Sequence, residues 1–171
     1  MSMKLSSLLV LAAGLAHGSV LAGDIDPAWN TSAELGAITT SGNTAGTAVT
    51  GKIDARQELD DWSNQYIASG FFKEDEKATG NGQTVTVKSA ERFSLSAKAA
   101  YKLMEDGKKL FVLGTYVDDK FGAYTTFSTM AVGHSWGWDN GQDRRIDLEV
   151  GPGYFSGTRA NGEDENGFTV R

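Results

Sequence analysis

His134 beside Ser135 is the pair that most invites a reaction, since an imidazole that takes a proton from a hydroxyl is the engine of acyl transfer. The pair falls in an extended stretch, where successive side chains point to opposite faces, so these two cannot meet. A remote serine would be needed, and no spacing flags one. Four acidic clusters, Asp60-Asp61, Glu74-Asp75-Glu76, Asp118-Asp119 and Glu163-Asp164-Glu165, offer the oxygen ligands that Ca²⁺ or Mg²⁺ prefers. None has the fixed spacing of a calcium loop, so they read as solvated loop charge. The glycine pairs lack the lysine and the following helix of a phosphate loop. We therefore expect no enzyme, no catalytic residue, no cofactor and no metal.

The charges with an informative spacing are Lys52, Asp54, Arg56 and Glu58, then Arg92, Lys98 and Lys102, then Arg145, Asp147 and Glu149. Each set alternates with a different kind of residue. Val49, Gly51, Ile53 and Ala55 interleave the first, Phe93, Leu95, Ala97, Ala99 and Tyr101 the second, and Ile146, Leu148 and Val150 the third. A period of two is the mark of a strand with one apolar and one charged face. Both signs share the charged face, so cross-strand ion pairs can brace a filled lumen, or the same residues can line a watery path. Filling is the expectation for a barrel of modest size.

The elements that must position these rows are long extended segments. Strands are expected at about Trp29–Thr40, Ala48–Leu59, Gln65–Glu76, Ala90–Leu103, Lys109–Asp118, Tyr124–Trp138 and Arg144–Phe155, with a loop of moderate length over Asp119–Ala123. Turns follow at Ser41-Gly42-Asn43-Thr44, Asp60–Asn64, Met104–Gly107 and Asp139–Asp143, with a long flexible loop over Lys77–Lys88. Ser156–Arg171 is polar and glycine-rich and reads as a loop. About a dozen residues without a breaker is roughly twice an ordinary soluble strand and suits a tilted crossing of a bilayer.

Met1 to Ala22 reads as a signal peptide: Lys4, an apolar run over Leu5–Ala16 too short to span, and a small-residue site at Val20-Leu21-Ala22. Residues 23–171 are then an exported domain. The chain carries 16 basic and 22 acidic residues, a formal charge of −6, and loss of Lys4 takes it to −7. That balance argues against nucleic acid as a partner. Cysteine is absent, which excludes disulfides and thiolate metal sites. Glycine at 21 and proline at 2 suit a hydrogen-bonded sheet.

Alternation alone does not separate a membrane barrel from a soluble sandwich. Strand length, short turns alternating with longer loops, and the aromatic residues favour the barrel. Trp29, Trp62, Tyr101, Phe111, Trp136 and Trp138 fall near one rim, and Phe71, Phe72, Phe93, Phe121, Tyr124, Tyr154 and Phe155 near the other. The expected fold is an all-β, antiparallel up-and-down meander forming a transmembrane β-barrel. The alternative is a soluble periplasmic barrel or sandwich that binds an apolar ligand inside.

Four stretches also carry a resemblance: Trp29 with Glu34-Leu35-Gly36-Ala37-Ile38-Thr39-Thr40-Ser41-Gly42-Asn43-Thr44, Lys52 to Glu58, Phe72-Lys73-Glu74-Asp75-Glu76, and Asp147-Leu148-Glu149-Val150-Gly151-Pro152-Gly153-Tyr154. Together they resemble the YdiY-type family, described as salt-induced outer-membrane proteins with a domain of unknown function. The resemblance implies a barrel in a Gram-negative outer membrane, reached through the periplasm, with lipid and lipopolysaccharide as neighbours and the barrel-assembly machinery as a partner of the full-length form. It implies no activity. Members look longer and end in an aromatic strand, whereas this chain stops at Thr169-Val170-Arg171. About seven strands also clash with the even number usual for bacterial barrels. The expectation is a truncated member, a curved sheet incompletely closed, with two exposed edges.

Overall fold

The computed structural model describes residues 11–12, 28–41, 45–80, 83–103, 107–139 and 145–171. Apart from Leu11–Ala12, the expected signal peptide lies outside them, as do Gly42–Thr44, Met104–Asp106 and Asn140–Asp143 of the expected turns and Arg144 at the start of the expected seventh strand. The described elements are all strands: β1 (Leu11–Ala12), β2 (Trp29–Thr40), β3 (Gly46–Glu58), β4 (Trp62–Ala78), β5 (Thr84–Lys102), β6 (Lys108–Asp119), β7 (Tyr124–Asp139), β8 (Arg145–Val150), β9 (Pro152–Arg159) and β10 (Asp164–Val170). They form one antiparallel sheet in chain order, and β8 and β9 both pair with β7. With those two taken as one strand interrupted at Gly151, the described residues make a nine-stranded meander.

The sheet is open. The two-residue β1, paired with β2 at Thr39 and Ile38, and β10 stand at opposite ends and do not pair with each other among the described residues, so the structure is a curved wall and not a closed barrel.

Two expected loops are strands. Over 77–88 the glycines at 80 and 82 suggested a flexible loop, yet β4 runs to Ala78 and β5 begins at Thr84. Thr84-Val85-Thr86-Val87 is β-branched throughout and pairs with Asp75–Ala78. A one-residue register shift between Lys73 and Glu74 separates this upper ladder from the lower one. The long-loop spacing expected after the third strand is therefore absent. Over 156–171 the polar composition suggested a loop, yet β9 continues to Arg159 and β10 returns along it. Gly162 at φ 86° makes that turn. Asp164, Glu165 and Asn166 of β10 each have a partner on β9 or β7, which a reading of local composition does not register.

The register sorts side chains onto two faces. One carries Asp54, Gln65, Lys98, Leu113, Ala131 and Glu149, and the sheet curls around it. Lys98 on β5 forms an ion pair with Glu149 on β8 across two intervening strands, a gap of ~14 Å on a flat sheet. The buried residues Ala100, Phe111, Leu113, Ala131 and Ser135 all lie on this concave face. Three of its rings sit over cross-strand glycines: Phe111 over Gly133, Phe127 over Gly157 and Phe155 over Gly167. A Cβ at Gly133 would come within 2.8 Å of the Phe111 ring. The missing side chain is therefore what lets the ring lie against the backbone and the sheet bend.

Candidate functional site

The concave face gathers the expected lining residues. Lys52, Asp54, Arg56 and Glu58 come from β3, Arg92, Lys98 and Lys102 from β5, and Asp147 and Glu149 from β8, all on that face by register. The side chain of Arg145 lies outside the described residues. The others divide. Arg92 sits at the upper rim, 4.0 Å from Asp119. Lys52 is exposed in the middle, level with Glu34 and Ser69. The remaining seven meet at the lower end.

That lower cluster is held by short contacts. Gln65 donates to Asp54 at 3.2 Å, and Arg56 pairs with the same carboxylate at 3.3 Å. Lys102 pairs with Glu58 at 3.1 Å and donates to the Leu59 carbonyl at 2.6 Å. Ser63 donates to the other oxygen of Glu58. Arg171 reaches Glu149 at 3.1 Å, so that one carboxylate serves two cations, Lys98 and Arg171. The Lys98 ammonium also lies 5.1 Å from the centre of the Phe111 ring. Beside these contacts lies a cavity of about 420 Å³, whose walls include Arg56, Glu58, Lys98, Lys109, Asp147 and Glu149. Lys109, Ser135 and Arg171 were not among the expected lining residues. Lys109 and Ser135 lie on neighbouring strands and become neighbours only through register.

At the opposite rim, Tyr124 and Arg159 both donate to Glu165, at 2.5 Å and 2.6 Å. These bonds hold the Glu165 carboxyl below its ordinary range, the Tyr124 hydrogen bond being the larger cause. Tyr124 is raised by the same contact.

The convex face is apolar and open. Leu35 is 69% exposed, Met130 65%, Ile146 66% and Phe168 91%. Val49, Leu95 and Leu148 lie on it as well and do not converge on an interior. Exposed apolar surface this continuous is foreign to a soluble monomer. A shallow depression of about 640 Å³ lies where Ala68, Ala97 and Gly114 leave room between Tyr66, Tyr116 and Tyr154.

The apolar residues of this face form a band that crosses the strands obliquely. One register row reads Leu35, Gly51, Gly70 and Phe93 on β2 to β5, then Asp118, Thr126, Thr158 and Asp164 on β6 to β10. A lower row reads Trp62, Tyr101, Leu110, His134 and Val150. The band's centre thus moves from Leu35 on β2 to the level of Val150 on β8. With ~3.3 Å per residue and ~4.8 Å between strands, that drift matches the width crossed, so the band runs at about 45° to the strands.

Trp29, Trp62, Trp136 and Trp138 all project from the convex face at the lower end. Trp29 stacks on Tyr66 at 6.2 Å and Trp62 meets Tyr101 edge-on at 5.3 Å. The other expected girdle divides: Phe72, Phe93 and Tyr154 are convex, Phe71, Tyr124 and Phe155 are concave, and Phe121 sits in a turn. Of the concave three, Phe155 lies opposite Thr129 and Gly167, whereas Phe71 and Tyr124 lie opposite Arg92 and Arg159.

His134 and Ser135 point apart. Ser135 is buried on the concave side, while the His134 ring packs 4.2 Å from Trp136 on the convex side with its Nδ1 buried and without a partner. Among the described residues no group of three His, Cys, Asp or Glu side chains is arranged to hold a metal. The described residues contain no helix long and apolar enough to cross a membrane, which says nothing about strands that cross.

A family model described as "Protein of unknown function, DUF481" matches residues 33–171. Neither a curated protein nor a solved structure matches the chain.

Proposed function

This chain belongs to the DUF481 family of unknown function, and from that premise we propose that it forms the wall of a transmembrane β-barrel in a Gram-negative outer membrane. The oblique apolar band carries this reading. A strand in a barrel wall is tilted by about 35–45° from the membrane normal, so residues at one depth in the lipid must step along successive strands. The band takes that step, and the tryptophans sit along one border of it, where amphipathic rings favour the headgroups. Edge groups left bare in lipid would each cost several kcal/mol, so the reading requires the free side of β10, and of β2 beyond its two-residue pairing with β1, to be paired in the membrane.

The role that follows is structural or passive: an envelope barrel whose concave ion pairs brace the lumen or line a path for small solutes. The YdiY-type resemblance adds a link to salt stress, export through the periplasm, delivery by the barrel-assembly machinery, and lipopolysaccharide as a neighbour. The test is folding with and without amphiphile. The purified chain should give a β-sheet spectrum in detergent or vesicles and aggregate in plain buffer. A monomer that folds without amphiphile and binds an apolar ligand saturably would favour the soluble carrier. Stepwise conductance in planar bilayers would separate a path from a filled brace.

A further inference from the structure

We infer that the lower concave cavity is a binding site for a small oxyanion of the carboxylate or phosphate type, centred on Lys109. The inference goes beyond the proposed role, because it stands on the geometry of the concave face whether or not the wall conducts.

The charges of the cavity are ordered across the sheet. Lys98 on β5 and Lys109 on β6 line it between Arg56 and Glu58 on β3 and Asp147 and Glu149 on β8; Lys102 is the register neighbour of Lys109, and Arg56 is paired with Asp54. Two of the three lysines are committed to a flank, Lys98 to Glu149 and Lys102 to Glu58. Lys109 is half-buried and lines the cavity, and among the described residues no carboxylate lies within ion-pair distance of it. Its register partners are Lys102 on β5 and Ser135 on β7.

A half-buried ammonium beside another lysine is costly unless an anion shares its space. Glu58 and Glu149 are engaged by Lys102, Lys98 and Arg171, and the Lys109 charge reaches Glu58 without forming an ion pair with it, so the position beside Lys109 suits a mobile oxyanion. The ammonium brings three donors, and the Ser135 hydroxyl, buried beside it, can bring another. The floor beneath is buried Ala100, whose register partner Phe111 is buried as well, which lowers the local dielectric and strengthens each contact. The acid walls set the specificity: they repel a large polyanion and leave room for a compact one. About 420 Å³ accommodates such a solute with water around it.

Equilibrium dialysis of the full chain in a zwitterionic detergent, with labelled inorganic phosphate as probe, tests this. Saturable binding is expected, with Lys109→Gln weakening it by about tenfold or more, the loss typical of a charge-assisted hydrogen bond, and Lys109→Arg retaining it. Lys120→Gln at the opposite rim should bind as the original chain does. Bound phosphate should also shield Lys109 from acetic anhydride more than it shields Lys120, a readout that needs no variant to fold. Equal binding by the original chain and Lys109→Gln, or labelling of Lys109 indifferent to phosphate, overturns the inference.

Discussion

Replacing Leu95 with arginine distinguishes a lipid-facing wall from a water-facing one. Leu95 is 45% exposed at the middle of β5, between Ala68 and Tyr116 in its register row. Tyr101, on the same face of the same strand, marks the tryptophan border through its contact with Trp62. The segment from Leu95 to Tyr101 covers ~20 Å along the strand, or about 14 Å along the membrane normal at a 45° tilt. That places Leu95 near the midplane of an apolar band ~25 Å tall. An arginine there should cost about 2–4 kcal/mol of folding free energy, whereas Trp138→Arg, at the border, should cost about 0–1 kcal/mol. If the convex face met water, both changes would stay within about 0.5 kcal/mol of the original, as surface substitutions do. The assay is urea unfolding from phosphatidylcholine vesicles followed by far-ultraviolet circular dichroism, with the slope checked for constancy. A Leu95→Arg chain as stable as the original, or no less stable than Trp138→Arg, refutes the oblique-band reasoning.

Two further outcomes follow from the concave face and its rim. Phe111 is 2% exposed, lies over Gly133 and contacts Lys98. Phe111→Ala should therefore cost about 3–5 kcal/mol in the same unfolding assay, the range for a buried ring truncated without collapse. Glu165 lies beyond the apolar band, and its carboxyl is lowered in the folded chain by Tyr124 and Arg159. A lowered carboxyl stabilises the fold above its unfolded value of 4.5, and that contribution is lost as the pH falls through the folded value. Hydrogen exchange of the β9–β10 hairpin, corrected for the intrinsic rate, should accelerate on acidification below about pH 4.5. Glu165→Gln should already exchange faster at neutral pH and lose that acid-dependent step.

The alternation at Val49–Glu58, Phe93–Lys102 and Ile146–Val150 was sufficient to assign strands and to sort their side chains by face, because an extended chain turns each Cβ away from its neighbours whatever surrounds it. The same local rule separated His134 from Ser135. Charge composition and the absence of cysteine were equally legible, since they need no neighbours. Where composition and pairing disagree, local reading fails. Thr84–Lys88 looks like a loop beside Gly80 and Gly82, and Asp164–Val170 looks like a polar tail, yet each is a strand because a complementary strand lies alongside.

Which face curls inward, and which charges meet, depended on tertiary structure. Lys98 and Glu149 are 51 residues apart, and only the bend of the sheet across β6 and β7 joins them. Lys109 gains its neighbours Lys102 and Ser135 from two different strands. The tilt of the apolar band is likewise invisible in any one strand, since it is a relation among registers. The sequence by itself determined two chemically distinct faces, because side-chain direction in a strand is a local property. The structure decided curvature, openness and the ionic cavity, because these arise from pairing between segments that no local pattern specifies.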